Sequence, residues 1–542
     1  MSTTDRDVKV SSPDVRTETD SLASKKNDDG IVLVPQPSDD PEDPLVRKKK
    51  KAIPQEIVML TGLQNWPMFK KLSVFISICL AGFAAQMSPN SNQLTFMEQV
   101  PAYHSTQAAL LNSVAAGLAG WVAGPFFFIP FVAVIGRSAV VLWSLVAIFA
   151  CQIWAGEMTG PDDYIPFTIS RLICGLFGGI PAILGSGYII DMFFLHQRGK
   201  AFAVFEVLII FAVVGGGTLG GFIAETKPWS YVFWWTLGPV GGAIIAVFLF
   251  VEDTTYSRDD TKPSRAPLPK GWLAKRVATF LPGTKTQPSG KGKEMIRRAI
   301  IPFQITFSPI TLLTGTYIFI ALGLPIMQAS TLATYLQPPV EAGGYGFSSM
   351  QMAFFTMTAW VGIIAAQVYG YFFNDKIPLM LARRRGGTWH TEYRLANTIL
   401  PSIILPIGLG IYGAGLEYHL HYMVLALGGF LIWFGALLAL PVCYNYIIEC
   451  FLNNPVEASV SLNAYRVSFG LMSVFIVTQW QAAVGEGWMW GMGAFFIVFV
   501  DLIMAGIILK GHLVREWTKS VSSTLAVTED GAKISAGSSE SA

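Results

Sequence analysis

The chain of 542 residues is 52% hydrophobic and only 14% charged, whereas soluble globular proteins carry about 25% charged residues. This composition excludes a disordered, collagen-like or coiled-coil protein, and a soluble core could not bury apolar runs that recur along most of the length. The formal net charge is only +2, so the positions of the charges are more informative than their sum. The sequence predicts a polytopic membrane protein.

Residues 1–68 come first and are predicted to form a cytoplasmic tail. They are rich in Ser, Asp and Lys, a composition typical of disorder, and contain the basic run 47–51. A basic cluster that precedes a membrane domain is suited to contact anionic cytoplasmic lipid. A nuclear-localisation signal is the alternative interpretation of this run.

Twelve apolar segments follow, and each is long enough to cross a bilayer. We therefore predict an all-α membrane protein with two six-helix halves, at 69–251 and 305–511, a cytoplasmic central loop at 252–304 and a cytoplasmic C-terminal tail at 512–542. In the central loop, apolar residues between basic ones near Trp272 predict an amphipathic helix on the membrane surface. The predicted spans lie near 71–92, 107–133, 139–156, 164–188, 201–223, 230–251, 306–336, 349–373, 396–414, 420–447, 458–482 and 488–509.

The distribution of Lys and Arg among the loops predicts the orientation. With a cytoplasmic N-terminus, nearly all basic loop residues face inward, and Lys227 is the only Lys or Arg in an outer loop. Both termini are then cytoplasmic, in agreement with an even number of spans. We expect the plasma membrane, with the vacuole or another organelle as the alternative.

Glycines at a spacing of four mark helix faces that allow two backbones to approach closely. Gly216, Gly217, Gly220 and Gly221 form two overlapping pairs of this kind in the fifth span. Static helix packing and rocking of helices against each other are both open interpretations.

Several segments resemble the major facilitator superfamily. Residues 130–138 (PFVAVIGRS) resemble its loop motif P-L-S-E-R-Y-G-R-R: Gly136 and Arg137 match, whereas Ala133 stands at the acidic position. Residues 212–221 (AVVGGGTLGG) resemble the antiporter motif of the fifth span, with Gly217 in place of its Pro. The chain is most similar to the fungal drug:proton antiporter-like group with twelve spans, in the branch that includes the yeast polyamine and histidinol permease.

This resemblance implies alternating access around a site near mid-membrane between the two halves. It also implies an inner gate at Gly136, Arg137, Asp191 and Arg198, because residues 191–200 (DMFFLHQRGK) resemble the family's segment at the inner end of the fourth span. We expect Arg137 to pair with Asp191.

Charged groups inside the bilayer are costly, so each is a candidate for coupling or substrate binding. For Arg171 and Arg466 the alternative is a structural pair or packing, and Glu206 could instead reach back to Arg198 or Lys200. Structural partners are the alternative for the remaining acidic groups. The candidates are Arg171, Glu206, Arg466, Asp501 and Glu449, the last of these at the inner end of the tenth span.

Uncharged polar residues within spans extend this set of candidates: Asn112, Gln328, Tyr444 and Asn445. Trp360 and Trp433 could form aromatic walls suited to a cation, or could face lipid or pack.

No phosphate-binding loop, nucleophilic constellation or metal-ligand spacing is present in the sequence, so we expect neither an enzyme nor a cofactor. The expected partners are a small-molecule substrate, protons and membrane lipid, without nucleic acid, and we expect a monomer. Proton-coupled export of a small organic compound such as a drug, toxin or metabolite is the leading function. The alternatives are proton-coupled uptake of an organic cation such as a polyamine, and a non-transporting receptor with the same fold.

Overall fold

The protein is a bundle of long helices, seen in a computed structural model that describes residues 66–193, 195–252, 271–281, 291–384, 390–451 and 454–521. The basic run 47–51 and most of the predicted central loop and C-terminal tail lie outside the described residues. Within the described ranges, twelve helices are long and apolar enough to cross a membrane, and this confirms the predicted fold class.

The first half contains six of these helices, and apolar runs of about 20 residues explain their lengths. Their bounds are α1 Met68–Met87, α2 Gln107–Phe128, α3 Arg137–Glu157, α4 Tyr164–Met192, α5 Leu195–Ala224 and α6 Leu237–Phe250. A short helix, Tyr231–Trp234, precedes α6 and belongs to the same span.

The second half repeats the arrangement. Its helices are α7 Pro309–Leu336, α8 Ser349–Phe373, α9 Ile399–Glu417, α10 Tyr422–Cys450, α11 Pro455–Val484 and α12 Glu486–Val521. The backbone leaves helical geometry at Lys510, so α12 bends there. Beyond this bend the helix continues to Val521, whereas the predicted span ends near 509.

The segment between the halves is partly helical. Helices Trp272–Phe280 and Lys291–Thr306 precede α7. Phe280 is buried, and its carbonyl accepts a hydrogen bond from Trp143 Nε1 at 3.0 Å. This contact fixes the predicted amphipathic helix against α3. We call the end of the bundle at which this segment lies the linker end, and the opposite end the far end.

The two halves meet mainly along two helix pairs, α5 with α8 and α2 with α11, and α4 also contacts α11. Within the first half, α2 lies directly against α4, because a Cβ on Gly120 would collide with the carbonyl of Leu172 and one on Gly124 with that of Leu176. Small residues at this crossing allow the backbones to touch. These contacts bring α1, α2, α4 and α5 close to α7, α10 and α11 around a central space.

Candidate functional site

A cavity with about 1000 Å³ of empty space lies between the two halves. Helices α2, α4, α5, α7, α10 and α11 and the end of α1 contribute its walls. Most of the wall is apolar, and the two charged side chains among the described residues that line it, Arg171 and Arg466, are both cationic. A mostly apolar pocket with a few converging polar groups is typical of a small-molecule site. The lining residues are Pro89, Asn90, Asn92, Gln93, Ser113, Val114, Gly117, Leu118, Trp121, Arg171, Ile210, Val213, Leu322, Pro325, Ile326, Ala329, Ser330, Trp433, Ala436, Leu437, Leu440, Arg466 and Val467.

Arg171 is the first of the two cations and projects from α4. Its side chain is only 4% exposed. Nη2 donates to the Pro89 carbonyl and, at 2.8 Å, to Asn92 Oδ1, so the guanidinium is fixed to the end of α1. Nη1 is buried and has no hydrogen-bond partner. Among the described residues, no carboxylate pairs with Arg171.

Arg466 is the second cation and projects from α11 toward the linker-end part of the cavity. Its Nη2 donates to Asn463 Oδ1 at 2.8 Å, and the guanidinium lies 5.8 Å from the centre of the Trp121 ring. Asn463 in turn donates to the Trp121 carbonyl at 3.4 Å. Arg466 is therefore held where α2 of one half meets α11 of the other.

Glu206 of α5 lies one helical turn toward the linker end from Ile210, which lines the cavity. The charges of Glu206 and Arg466 interact, and both act on Tyr444 of α10. Since no hydrogen bond or ion pair of the Glu206 carboxylate is found in the described part of the chain, its charge and that of Arg466 interact through space. The structure thus brings three predicted residues together, from both halves, at the linker-end margin of the cavity.

A smaller space adjoins the cavity on the side of α8 and shares Gln93, Val213, Ala329 and Trp433 with it. Gln328 lines this space, is 4% exposed, and has an unpartnered Oε1. Trp433 therefore forms a wall of both spaces. Trp360 instead bridges the halves, since its Nε1 donates to Thr218 Oγ1 at 3.2 Å.

Four other predicted site residues lie away from the cavity. Glu449 forms an ion pair with Arg394 at the linker end, with 2.6 Å between Glu449 Oε1 and Arg394 Nη2. Asp501 accepts a hydrogen bond from Ser402 at 2.5 Å between α12 and α9. Asn112 and Asn445 are exposed, and neither lines the cavity.

The predicted inner-loop residues form an ion pair at the linker end. Arg137, the first residue of α3, pairs with Asp191 at the end of α4, as the sequence led us to expect. Gly136 has φ of 96°, a conformation that favours glycine, and it redirects the chain into α3. The side chains of Arg198 and Ala133 lie outside the described part of the structure.

The second half contains a counterpart of this pair. Arg394 lies just before α9 and pairs with Glu449 at the end of α10 and, at 3.4 Å, with Asp375 after α8. In each half, a cation at the start of the third helix is thus bound to a carboxylate at the end of the fourth.

The glycines of α5 pack in two directions. Cβ atoms on Gly216 and Gly220 would collide with the carbonyls of Met87 and Ser91 in the same half, whereas one on Gly217 would meet the Gln93 side chain at 3.0 Å. Gly221 faces the other half, and its Cβ would lie 3.1 Å from the Ser349 carbonyl. One glycine strip therefore supports both static packing and contact between the halves.

At the far end, carboxylates of the first half bind the start of α8. Glu98 accepts a hydrogen bond from Ser349 Oγ at 3.1 Å, and Glu225 accepts one from the Met350 N–H at 2.9 Å. Burial raises the pKa of Glu98, and the negative charge of Glu225 adds to this, although the Ser349 hydrogen bond lowers it. Gln337 adds a third link between the halves by donating to the Leu94 carbonyl at 3.0 Å.

Sequence reasoning did not identify Gln93, Ser113 and Ser330 as lining residues or the far-end carboxylates as contacts between the halves. The hydroxyls of Ser113 and Ser330 bond their own helices, so nothing in the sequence sets them apart. Glu98 and Glu225 occupy predicted outer loops, where acidic residues are ordinary. Only the packing of α5 on α8 brings these two carboxylates to Ser349 and Met350 at the start of α8.

Comparison with known proteins gives consistent matches along most of the chain. The sequence profile of the Major Facilitator Superfamily matches residues 74–475 of this chain. An uncharacterized MFS-type transporter of Schizosaccharomyces pombe is 25% identical over 91% of this chain and 89% of its own length. Efflux pump radE of Floropilus chiversii is 24% identical over 83% of this chain and 82% of its own.

The fold also matches solved structures. The proton:xylose symporter XylE bound to 6-bromo-6-deoxy-D-glucose superposes with a TM-score of 0.57 and 15% sequence identity, over 82% of this chain and 97% of that one. At this identity, the match concerns the fold alone.

Proposed function

This chain belongs to the Major Facilitator Superfamily, and we propose that it exports a small organic compound in a proton-coupled manner, by alternating access to the central cavity. Members of this family are secondary transporters, not enzymes. The name of one relative, efflux pump radE, supports the direction of transport. No carboxylate is found among the cavity-lining residues that the structure describes, so the chemistry of the cavity favours neither a polyamine nor another cation as the substrate.

The arrangement of Glu206, Tyr444 and Arg466 carries the proposal of proton coupling. A carboxyl group near a guanidinium, but not bonded to it, can gain and lose a proton while the neighbouring charge adjusts its affinity. The three residues come from α5, α10 and α11, so movement of one half against the other changes their separation. Such a change alters the proton affinity of Glu206 between the two states of the cycle.

The test is proton movement in proteoliposomes that contain the full-length protein and an entrapped pH-sensitive dye. A panel of small organic compounds is applied, and a compound that moves protons in the wild type is tested again on Glu206→Gln. We expect substrate binding to remain and proton movement to be lost. Asp501→Asn is the matched control, since Asp501 is also within a span but bonds Ser402 away from the cavity.

Three results would count against this proposal. Proton movement that persists unchanged in Glu206→Gln would exclude that residue as the coupling group. Movement of none of the compounds, with the protein folded, would favour the non-transporting receptor. Greater cellular accumulation of the compound on overproduction would indicate uptake.

We also propose that the linker end and both termini face the cytoplasm, in the plasma membrane, with the vacuolar membrane as the alternative. The support is the distribution of Lys and Arg. A cysteine introduced near Glu341 should react with an impermeant reagent in intact cells, and one near Lys285 should not. The opposite pattern would reverse this orientation.

A further inference from the structure

We propose that the central cavity binds an amphipathic organic anion, whose carboxylate or equivalent oxyanion is bound by Arg171 and Asn92. This inference rests on the proposed transport function and deepens it by naming the chemical class of the substrate. It assigns to Arg171 the binding of the substrate, and leaves proton coupling to Glu206 and Arg466.

The first observation is that Arg171 is a buried cation without a counter-charge. The side chain is 4% exposed, and its guanidinium lies 5.5 Å from the centre of the Phe233 ring. The titratable groups that act on it electrostatically are the thiols of Cys174 and Cys151 and the hydroxyl of Tyr103, which are neutral near pH 7. A buried charge is expensive to maintain unless it is paired. Because arginine does not lose its proton, the missing negative charge has to come from outside the described residues.

The second observation is a pair of adjacent donors without partners. Asn92 is 3% exposed, and its Oδ1 already accepts a hydrogen bond from Arg171 Nη2. This bond fixes the orientation of the amide and leaves Asn92 Nδ2 as a donor. Both Asn92 Nδ2 and Arg171 Nη1 are buried and have no hydrogen-bond partner within the part of the chain that the structure describes, and both residues line the cavity. Two neighbouring donors, one of them cationic, match the two oxygens of a carboxylate.

The third observation is the character of the remaining wall. Trp433, Leu437 and Val467 of the second half provide apolar surface, and no Asp or Glu is found among the described residues that line the cavity. An organic cation would therefore meet two guanidinium groups and no carboxylate. An anion with an apolar or aromatic body would pack against this apolar wall and would also neutralise the charge of Arg171.

The test uses purified full-length protein in detergent at neutral pH and two matched series of probes. The first series is 4-phenylbutyrate, 4-phenylbutanamide and 4-phenylbutylamine; the second is 2-naphthylacetate, 2-naphthylacetamide and 2-(2-naphthyl)ethylamine. Binding is measured as ligand-dependent thermal stabilisation. We expect each carboxylate to bind about tenfold more tightly than its amide, because hydrogen bonds to charged groups are the stronger ones, and the amines not to bind.

Asn92→Asp is the decisive variant, because it supplies an internal carboxylate to Arg171 and does not strand a charge. We expect this protein to fold and to lose carboxylate binding by about tenfold or more. Asn454→Asp is the matched control, because it makes the same change of side chain at the partly exposed residue before α11, which does not line the cavity. It should bind the carboxylates like the wild type.

Equal or tighter binding of the amines, absence of any preference for the carboxylates, or unchanged carboxylate binding in Asn92→Asp would overturn the inference. Its failure is distinguishable from failure of the proposed function. If the carboxylate preference is present and no probe moves across a membrane, the transport proposal fails and the binding inference stands. If protons move with an amine, transport stands and the anion inference fails.

Discussion

The two ends of the helix bundle are held by different interactions. At the linker end, each ion pair found in the described ranges joins elements of the same half; the pairs are Lys70–Glu252, Arg137–Asp191, Arg394 with Glu449 and Asp375, and Arg515–Glu392. At the far end, Glu98 and Glu225 of the first half accept hydrogen bonds from α8 of the second half. The linker-end pairs therefore stiffen each half, whereas the far-end contacts connect the two halves.

This difference is what alternating access requires. Two bodies have to stay rigid while the contacts between them break and form. Ion pairs within a half do not change when the halves rock. Hydrogen bonds from one half to the first turn of α8 have to break before the far end can open, so far-end substitutions should change accessibility and linker-end substitutions should change stability.

The largest expected effect is at the linker end, at the pair formed by Arg515 and Glu392. The two side chains are 5% and 8% exposed and approach to 2.8 Å. Arg515→Leu would leave the Glu392 carboxylate buried without its cation and should lower the stability by about 3–5 kcal/mol. Thermal unfolding in detergent and protein abundance in the membrane would both measure this loss.

The matched control is the double variant Arg515→Leu with Glu392→Leu, which removes both charges. It should recover most of the lost stability, because no charge is left stranded. A double variant as unstable as Arg515→Leu alone would contradict this explanation.

The next effect compares two glycines of α5. Gly216→Ala places a methyl group against the Met87 carbonyl inside one half and should destabilise the fold, by about 1–3 kcal/mol for overpacking. Gly221→Ala places it 3.0 Å from Leu94 and 3.1 Å from Ala353 and the Ser349 carbonyl of the other half. We expect it to weaken the closed far end with little loss of thermal stability.

Labelling of a cysteine at Ala329, which lines the cavity, measures this difference with an impermeant thiol reagent added on the far-end side. Gly221→Ala should speed labelling by about fivefold or more, corresponding to a shift of about 1 kcal/mol. Equal melting temperatures and equal labelling rates for the two glycine variants would remove the distinction between the ends.

A smaller effect is expected from pH at the far end. In the closed arrangement the pKa of Glu98 is raised above its ordinary value of 4.5 by burial and by Glu225. Protonated Glu98 therefore stabilises the closed far end. This stabilisation is fully present below pH 4.5 and is lost as the pH rises through the raised pKa of Glu98. Labelling at Ala329→Cys should accelerate from acidic to neutral pH, normalised to a cysteine at the exposed Thr226.

In Glu98→Gln the labelling rate at Ala329→Cys should depend less on pH, because the neutral amide still accepts the Ser349 hydrogen bond and no longer repels Glu225. Glu341→Gln alters an exposed carboxylate in another far-end loop and should retain the pH dependence of the parent protein. A steeper dependence in Glu98→Gln would mean that another group controls far-end closure.

The smallest effect is predicted for Lys70, which pairs with Glu252 at 2.9 Å while both side chains remain about one-third exposed. Exposed pairs contribute about 0–1 kcal/mol, so Lys70→Gln should leave the melting temperature almost unchanged. A loss as large as that of Arg515→Leu would show that burial does not separate the two pairs.

Particular residues show how far sequence reasoning reaches. The spans could be predicted within a few residues, because hydrophobic length is a local property and the bilayer fixes the length required. The pairing of Arg137 with Asp191 followed from the resemblance, and the structure places the two together. The pairing of Arg394 with Glu449 has no such signal in the sequence, and only the structure shows that Glu449, a candidate for coupling, is bound to Arg394 at the linker end.

The sequence by itself determined the membrane class, the number and approximate limits of the helices, and which charges lie within them, because each of these depends on composition over a stretch of about 20 residues. Only the tertiary structure decided which of those charges face each other. Arg171 and Arg466 both line the cavity, Glu206 lies near Arg466, and Asp501 bonds Ser402 elsewhere. Which face of a helix meets which partner depends on the packing of all twelve helices, and contacts between residues distant in the chain are not encoded in any local pattern.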